Sequence, residues 1–116
     1  MATRAQITVR TEAGFKSVYL HWDGYPDHAL KVLEGHYSSQ ERAESLVEHG
    51  NLSSLHESNE QPEGHSFRTP VEGHCVYYGR DRGEEDQDAV VTQTIQPLGW
   101  GEEFHYIFDE GEWRVH

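Results

Sequence analysis

Gln6-Ile7-Thr8-Val9-Arg10 alternates polar and apolar side chains with period two and is rich in β-branched residues, the pattern of a strand. Thr11-Glu12-Ala13-Gly14 reads as a turn. Alternation then resumes from Phe15 to Trp22, with Phe15, Ser17, Tyr19 and His21 on one face and Lys16, Val18, Leu20 and Trp22 on the other. An N-terminal hairpin over residues 1–22 is therefore predicted. Asp23-Gly24-Tyr25-Pro26 breaks it, and Pro26 suits the first turn of a helix.

Ala29, Leu30, Leu33 and Tyr37 recur at helical spacing. Ser38-x-x-Glu41 has the form of a capping box opening a second helix, with Ala43, Leu46 and Val47 inward and Gly50 just past its end. Two helices are thus expected over residues 26–49. Residues 51–73 show no sustained period and read as a long irregular loop, anchored only by Leu52, Leu55, Phe67 and Val71. Residues 74–116 return to strands: His74 to Gly79, then Ala89 to Ile95. Last comes a hairpin that places Phe104, Tyr106 and Phe108 on one face and turns at Asp109-Glu110-Gly111 into Glu112–His116. The expected architecture is α+β in a single domain: an antiparallel sheet of four to six strands with two helices over one face.

The chain has 116 residues, of which 34% are hydrophobic, so aromatic side chains must supply much of the area of a thin core. Cys75 has no intrachain partner, which excludes a disulfide scaffold. No apolar run approaches membrane-spanning length, and no signal segment follows Met1; a cytoplasmic protein is expected. The formal net charge of −12 repels phosphate and disfavours direct contact with nucleic acid. That charge is uneven. Residues 1–55 hold seven acids and five bases, whereas residues 56–116 hold fourteen acids and four bases.

Four groups of residues invite chemical interpretation. His21, Asp23, Asp27 and His28 are metal-ligand types within eight positions, although Asp23 and Asp27 can equally cap or orient the following helix. His65 and His74-Cys75 lack the spacing of a zinc site, and a Cys inside an apolar strand is usually buried and inert. Arg80 and Arg82, on one face of an extended segment, can grip an anion or can pin a loop by neutralising nearby acids; the second use is the simpler one. Trp22 and Tyr25 can anchor a partner or fold back as a lid on the core, and the lid is the expectation for Trp22. No phosphate-cradling loop, nucleophile elbow or metal-binding helix motif is present, so no catalytic residue and no cofactor are expected.

The strings His21-Trp-Asp-Gly-Tyr-Pro26, Gly50-Asn-Leu-Ser-Ser54 and Tyr78-Gly-Arg-Asp-Arg-Gly-Glu84, with the ending Phe104-His-Tyr-Ile-Phe-Asp109, resemble a family of small acidic proteins encoded by phages, prophages and plasmids. The resemblance spans nearly the whole chain. It implies a mobile-element setting rather than an activity, and such accessory genes often encode inhibitors of host defence, anti-CRISPR and anti-restriction proteins among them.

Acid excess and setting agree on one expectation: an inhibitor that occupies the basic nucleic-acid groove of a host defence protein, such as a CRISPR effector. Alternate residues on a strand stand about 6.6 Å apart, comparable to successive phosphates, so Glu84, Asp86 and Asp88 would form a row. Glu85, Glu102, Glu103, Asp109, Glu110 and Glu112 would flank it if the C-terminal hairpin lies alongside, with Trp22 and Tyr25 as anchors. Two rivals stand beside this: a small metal-dependent enzyme or binder using His21, Asp23, Asp27 and His28, and a homo-oligomer joined through Trp22 and Tyr25.

Overall fold

The computed structural model describes residues 2–116. Strand β1 (Ala5–Thr11) and strand β2 (Gly14–Leu20) form the expected antiparallel hairpin. Helices α1 (Ala29–His36) and α2 (Gln40–Glu48) follow, then β3 (Leu52–Ser54), β4 (Val76–Tyr77), α3 (Tyr78–Arg82), β5 (Val90–Thr92), β6 (Phe104–Asp109) and β7 (Glu112–Val115). The fold is α+β, but its sheet is mixed rather than antiparallel. β6 lies parallel to β1, and β3 meets β2 in parallel at Leu20 and Leu52. The order is β4-β3-β2-β1-β6-β7, with β5 also on β2.

The departure from an all-antiparallel sheet has a physical origin. A run of hairpins would keep neighbours in sequence adjacent in space. Here the chain leaves β2 through two helices, and after a long excursion it fills the free edge of β1 in the same direction as β1 itself.

The predicted faces hold. Ala5, Ile7 and Val9 of β1, Val18 and Leu20 of β2, and Tyr106 and Phe108 of β6 form one core with Ala29, Leu33, Ala43, Leu46 and Val47 of the helices; Phe104 packs against it. Trp113 of β7 closes this core and donates its indole N–H to the Tyr37 carbonyl (3.0 Å). The opposite face is also buried. Gln6, Thr8, Ser17 and His105 are linked by hydrogen bonds beneath the irregular segment 93–103. Gln6 holds that segment at two points, its Nε2 donating to the Gln96 carbonyl and its Oε1 accepting from the Leu98 N–H (3.0 Å each).

Several local expectations are corrected. The α2 cap is Ser39, whose hydroxyl accepts from the Arg42 N–H, while Ser38 donates to the Glu34 carbonyl instead. Neither Asp23 nor Asp27 caps α1; its N-cap is His28, which makes no side-chain cap bond, because residues 26–28 form a turn before the helix begins. Tyr78 and Gly79 do not continue a strand. They open α3, because the Asp81 carboxylate reaches back to the Tyr77 N–H (2.8 Å) and closes a helical turn. Arg80 and Arg82 therefore do not share the face of an extended segment.

Candidate functional site

Strand β3 takes residues 52–54 out of the long loop expected over 51–73, and the Asp81 carboxylate is the centre that orders the irregular segment after it. Its side chain and that of His65 have no solvent exposure. Arg80 bonds it at 2.9 and 3.0 Å and also donates to the carbonyls of Asn59 and Cys75, while its guanidinium covers the Tyr77 ring at 4.6 Å. His65 Nδ1 accepts from the Val71 N–H (2.9 Å), which leaves Nε2–H to donate to the Cys75 carbonyl (3.0 Å), with Asp81 at 3.3 Å. Burial works against ionisation of Asp81. The Arg80 bonds, the Tyr77 N–H and the nearby His65 outweigh it and hold the carboxyl below its ordinary value. Every polar atom in this centre faces another group of the protein, so it is a structural core and Arg80 pins the loop as expected. Cys75 is buried, and burial pushes its thiol up.

Three residues past Asp81 the same charged run reaches the surface. Gly83, in the left-handed conformation at φ +79°, ends α3, and Glu84, Glu85, Asp86 and Asp88 are all exposed. The stretch is a turn rather than a strand, with Asp86 at φ +58°, so the carboxylates do not form the evenly spaced row expected of extended chain. Glu84 meets Arg82 at 3.5 Å; Glu85, Asp86 and Asp88 make no ion pair among the described residues.

Asn51 fixes this loop to the sheet. Its backbone N–H donates to the Gln87 carbonyl (2.8 Å) and its Nδ2 to Gln87 Oε1 (3.0 Å); its Oδ1 accepts from the Tyr19 N–H and its carbonyl from the Tyr78 N–H. The Glu84 N–H donates in turn to the Tyr78 carbonyl (3.1 Å). Gly50 makes the approach possible, since a Cβ there would run into the Gln87 carbonyl. Neither Asn51 nor Gln87 stands out in the sequence as a site residue; the one signal is a Gly-Asn pair directly after a helix.

The remaining expected acids lie elsewhere. β1 and β2 separate β5 from the C-terminal hairpin, so that hairpin does not lie alongside the 84–88 loop. Asp109 pairs with Arg10 (3.3 Å), and Glu110 and Glu112 pair with Arg114 (3.6 and 3.1 Å). Glu103 sits at the start of β6, bonded through its N–H to the Arg4 carbonyl, and one carboxylate oxygen of Glu102 is buried without a partner.

His21, Asp23, Asp27 and His28 are not brought to a common point. His21 Nδ1 is 2.6 Å from the Tyr19 hydroxyl and His28 Nε2 is 2.8 Å from the Leu55 carbonyl; no group of three or more metal-ligand side chains is placed to hold an ion among the described residues. Trp22 and Tyr25 are 44% and 40% exposed, so Trp22 is not a lid on the core. No helix of the described residues is long and apolar enough to cross a membrane. Comparison with known protein families, curated proteins and solved structures finds no match.

Proposed function

We propose that this protein binds a basic, nucleic-acid-handling protein through the 84–88 loop and blocks access of DNA or RNA to it, in the manner of an anti-CRISPR inhibitor carried by a phage. One observation carries this reading: a turn hydrogen-bonded through Gln87 to Asn51 presents Glu84, Glu85, Asp86 and Asp88 to solvent, three of them without an ion pair among the described residues. Fixed carboxylates with no internal partner give a field that speeds encounter with Lys- and Arg-lined surfaces and sets orientation. The mobile-element setting implied by the sequence motifs fits the same use. Glu102, Glu103, Asp109, Glu110 and Glu112 add to the long-range field only.

The test is capture of host CRISPR effectors by the purified protein, with and without Glu84→Lys, Glu85→Lys, Asp86→Lys and Asp88→Lys together. The reversed variant is expected to lose capture and to release bound effector's guide or target nucleic acid no better than buffer. Unchanged capture with unchanged salt dependence overturns the proposal.

A further inference from the structure

A second feature adjoins the acidic loop. On the non-helical face of the sheet, Tyr19 meets Trp100 edge to face (6.2 Å between ring centroids), its hydroxyl contacts His21 Nδ1, and His21 in turn meets Trp22 at 4.7 Å. Trp22 is exposed and the other three rings are half-buried, which makes a continuous aromatic band open to solvent. Asn51 joins band to loop, since the same side chain accepts the Tyr19 N–H and donates to Gln87.

The protein's own arginines show what such rings accept. Arg10 lies over Phe15, Arg42 over Tyr37, Arg80 over Tyr77 and Arg82 over Phe67, at 4.6 to 5.8 Å from the ring centroids. Tyr19, Trp22 and Trp100 carry no such cation among the described residues. A planar guanidinium stacks on Trp and Tyr faces better than a compact ammonium does, and nearby carboxylates attract it.

We propose that the Tyr19–His21–Trp22–Trp100 band is the docking surface for arginine side chains of the basic protein partner. This rests on the reading of the 84–88 loop as the surface that faces that partner. Loop and band divide the work: the carboxylates supply long-range attraction to any cation, and the rings select guanidinium at contact. Arg4, whose guanidinium lies against Gly101 beside Trp100 and acts on Tyr19, borders the band and opposes the docking cation.

The full-length protein is titrated with oligo-arginine and oligo-lysine peptides of equal length at physiological ionic strength, followed by tryptophan fluorescence and by calorimetry. Trp113 is buried, so Trp22 and Trp100 report. Oligo-arginine is expected to bind about fivefold more tightly. Trp22→Ala, an exposed position, and Trp22→Ala/Trp100→Leu are expected to reduce that preference stepwise while salt-dependent binding of both peptides persists; Arg4→Gln is expected to strengthen it. Equal affinities for the two peptides, or a preference untouched by Trp22→Ala and the double variant, overturn the band proposal and leave the acidic-loop reading standing. Failure of both peptides to bind overturns both.

Discussion

Asp81 and Asp86 stand five residues apart in one charged run and have opposite fates. The first is sealed between Arg80, His65 and the Tyr77 amide and organises the fold. The second stands in solvent at φ +58° with no ion pair among the described residues. The C-terminal hairpin gives a third outcome, in which Asp109, Glu110 and Glu112 are exposed or half-buried yet matched with Arg10 and Arg114. A count of acids therefore says little about a surface. What matters is how the fold places each carboxylate, and Glu85, Asp86 and Asp88 stand close together in one exposed turn without an ion pair among the described residues.

The largest effect is expected inside the buried centre. Asp81→Ala leaves the Arg80 guanidinium, the Gln61 side-chain amide and the Tyr77 N–H without their common acceptor, at a cost of about 3–5 kcal/mol, read from urea unfolding. A cost no larger than that of Asp86→Ala would remove the distinction between the two regions.

Acidification tests the same contrast by titration. Burial lowers the His56 value, helped by His28, and lowers that of His105, helped by His116. In the window between these depressed folded values and the unfolded value near 6.5, the unfolded chain binds more protons, so stability falls as pH drops through it. The Asp81 contribution, with its folded value also depressed, is full above the ordinary carboxylate value and is lost at still lower pH. The urea midpoint is expected to be lower at about pH 5.5 than at about pH 7.5, with Asp86→Asn leaving that profile unchanged. A flat profile contradicts the burial of these imidazoles.

The smallest effect belongs to the hairpin. Glu110→Gln with Glu112→Gln removes two surface pairs to Arg114, and Tm is expected to move by no more than about 3 °C. Binding of a basic partner is expected to stay close to that of the parent protein. A loss comparable to that caused by reversing residues 84–88 would return the hairpin to the interface.

Much of the fold was legible along the chain because local patterns sufficed. Period two in residues 5–20 and 104–108 assigned the core faces correctly, and the apolar spacing of residues 29–47 located both helices. Gly50 was readable as a helix end, since a left-handed residue there favours glycine. Other elements were not legible. His74 to Gly79 reads as a strand on Cys75, Val76, Tyr77 and Tyr78, but the strand stops at Tyr77, where the Asp81 carboxylate, paired with Arg80, accepts the Tyr77 N–H as α3 begins.

The candidate site was legible as residue types but not as an arrangement. Glu84–Asp88 is visible as a charge run, whereas Asn51, which positions it, acts across 36 residues through Gln87. Trp100, from the irregular segment over the sheet, joins Tyr19 only because Gln6 and Arg4 hold that segment in place.

By itself, the sequence determined the element types with strong periodicity, the segregation of negative charge into its second half and the absence of a disulfide. Those properties depend on neighbours a few residues apart. Tertiary structure alone decided that β6 runs parallel to β1, that Asp81 is sealed while Asp86 is exposed, and that Trp100 meets Tyr19 in one aromatic band. Each of these is a pairing between groups distant in the chain, and the energy that selects among such pairings comes from burial and hydrogen bonding that exist only once the chain has closed on itself.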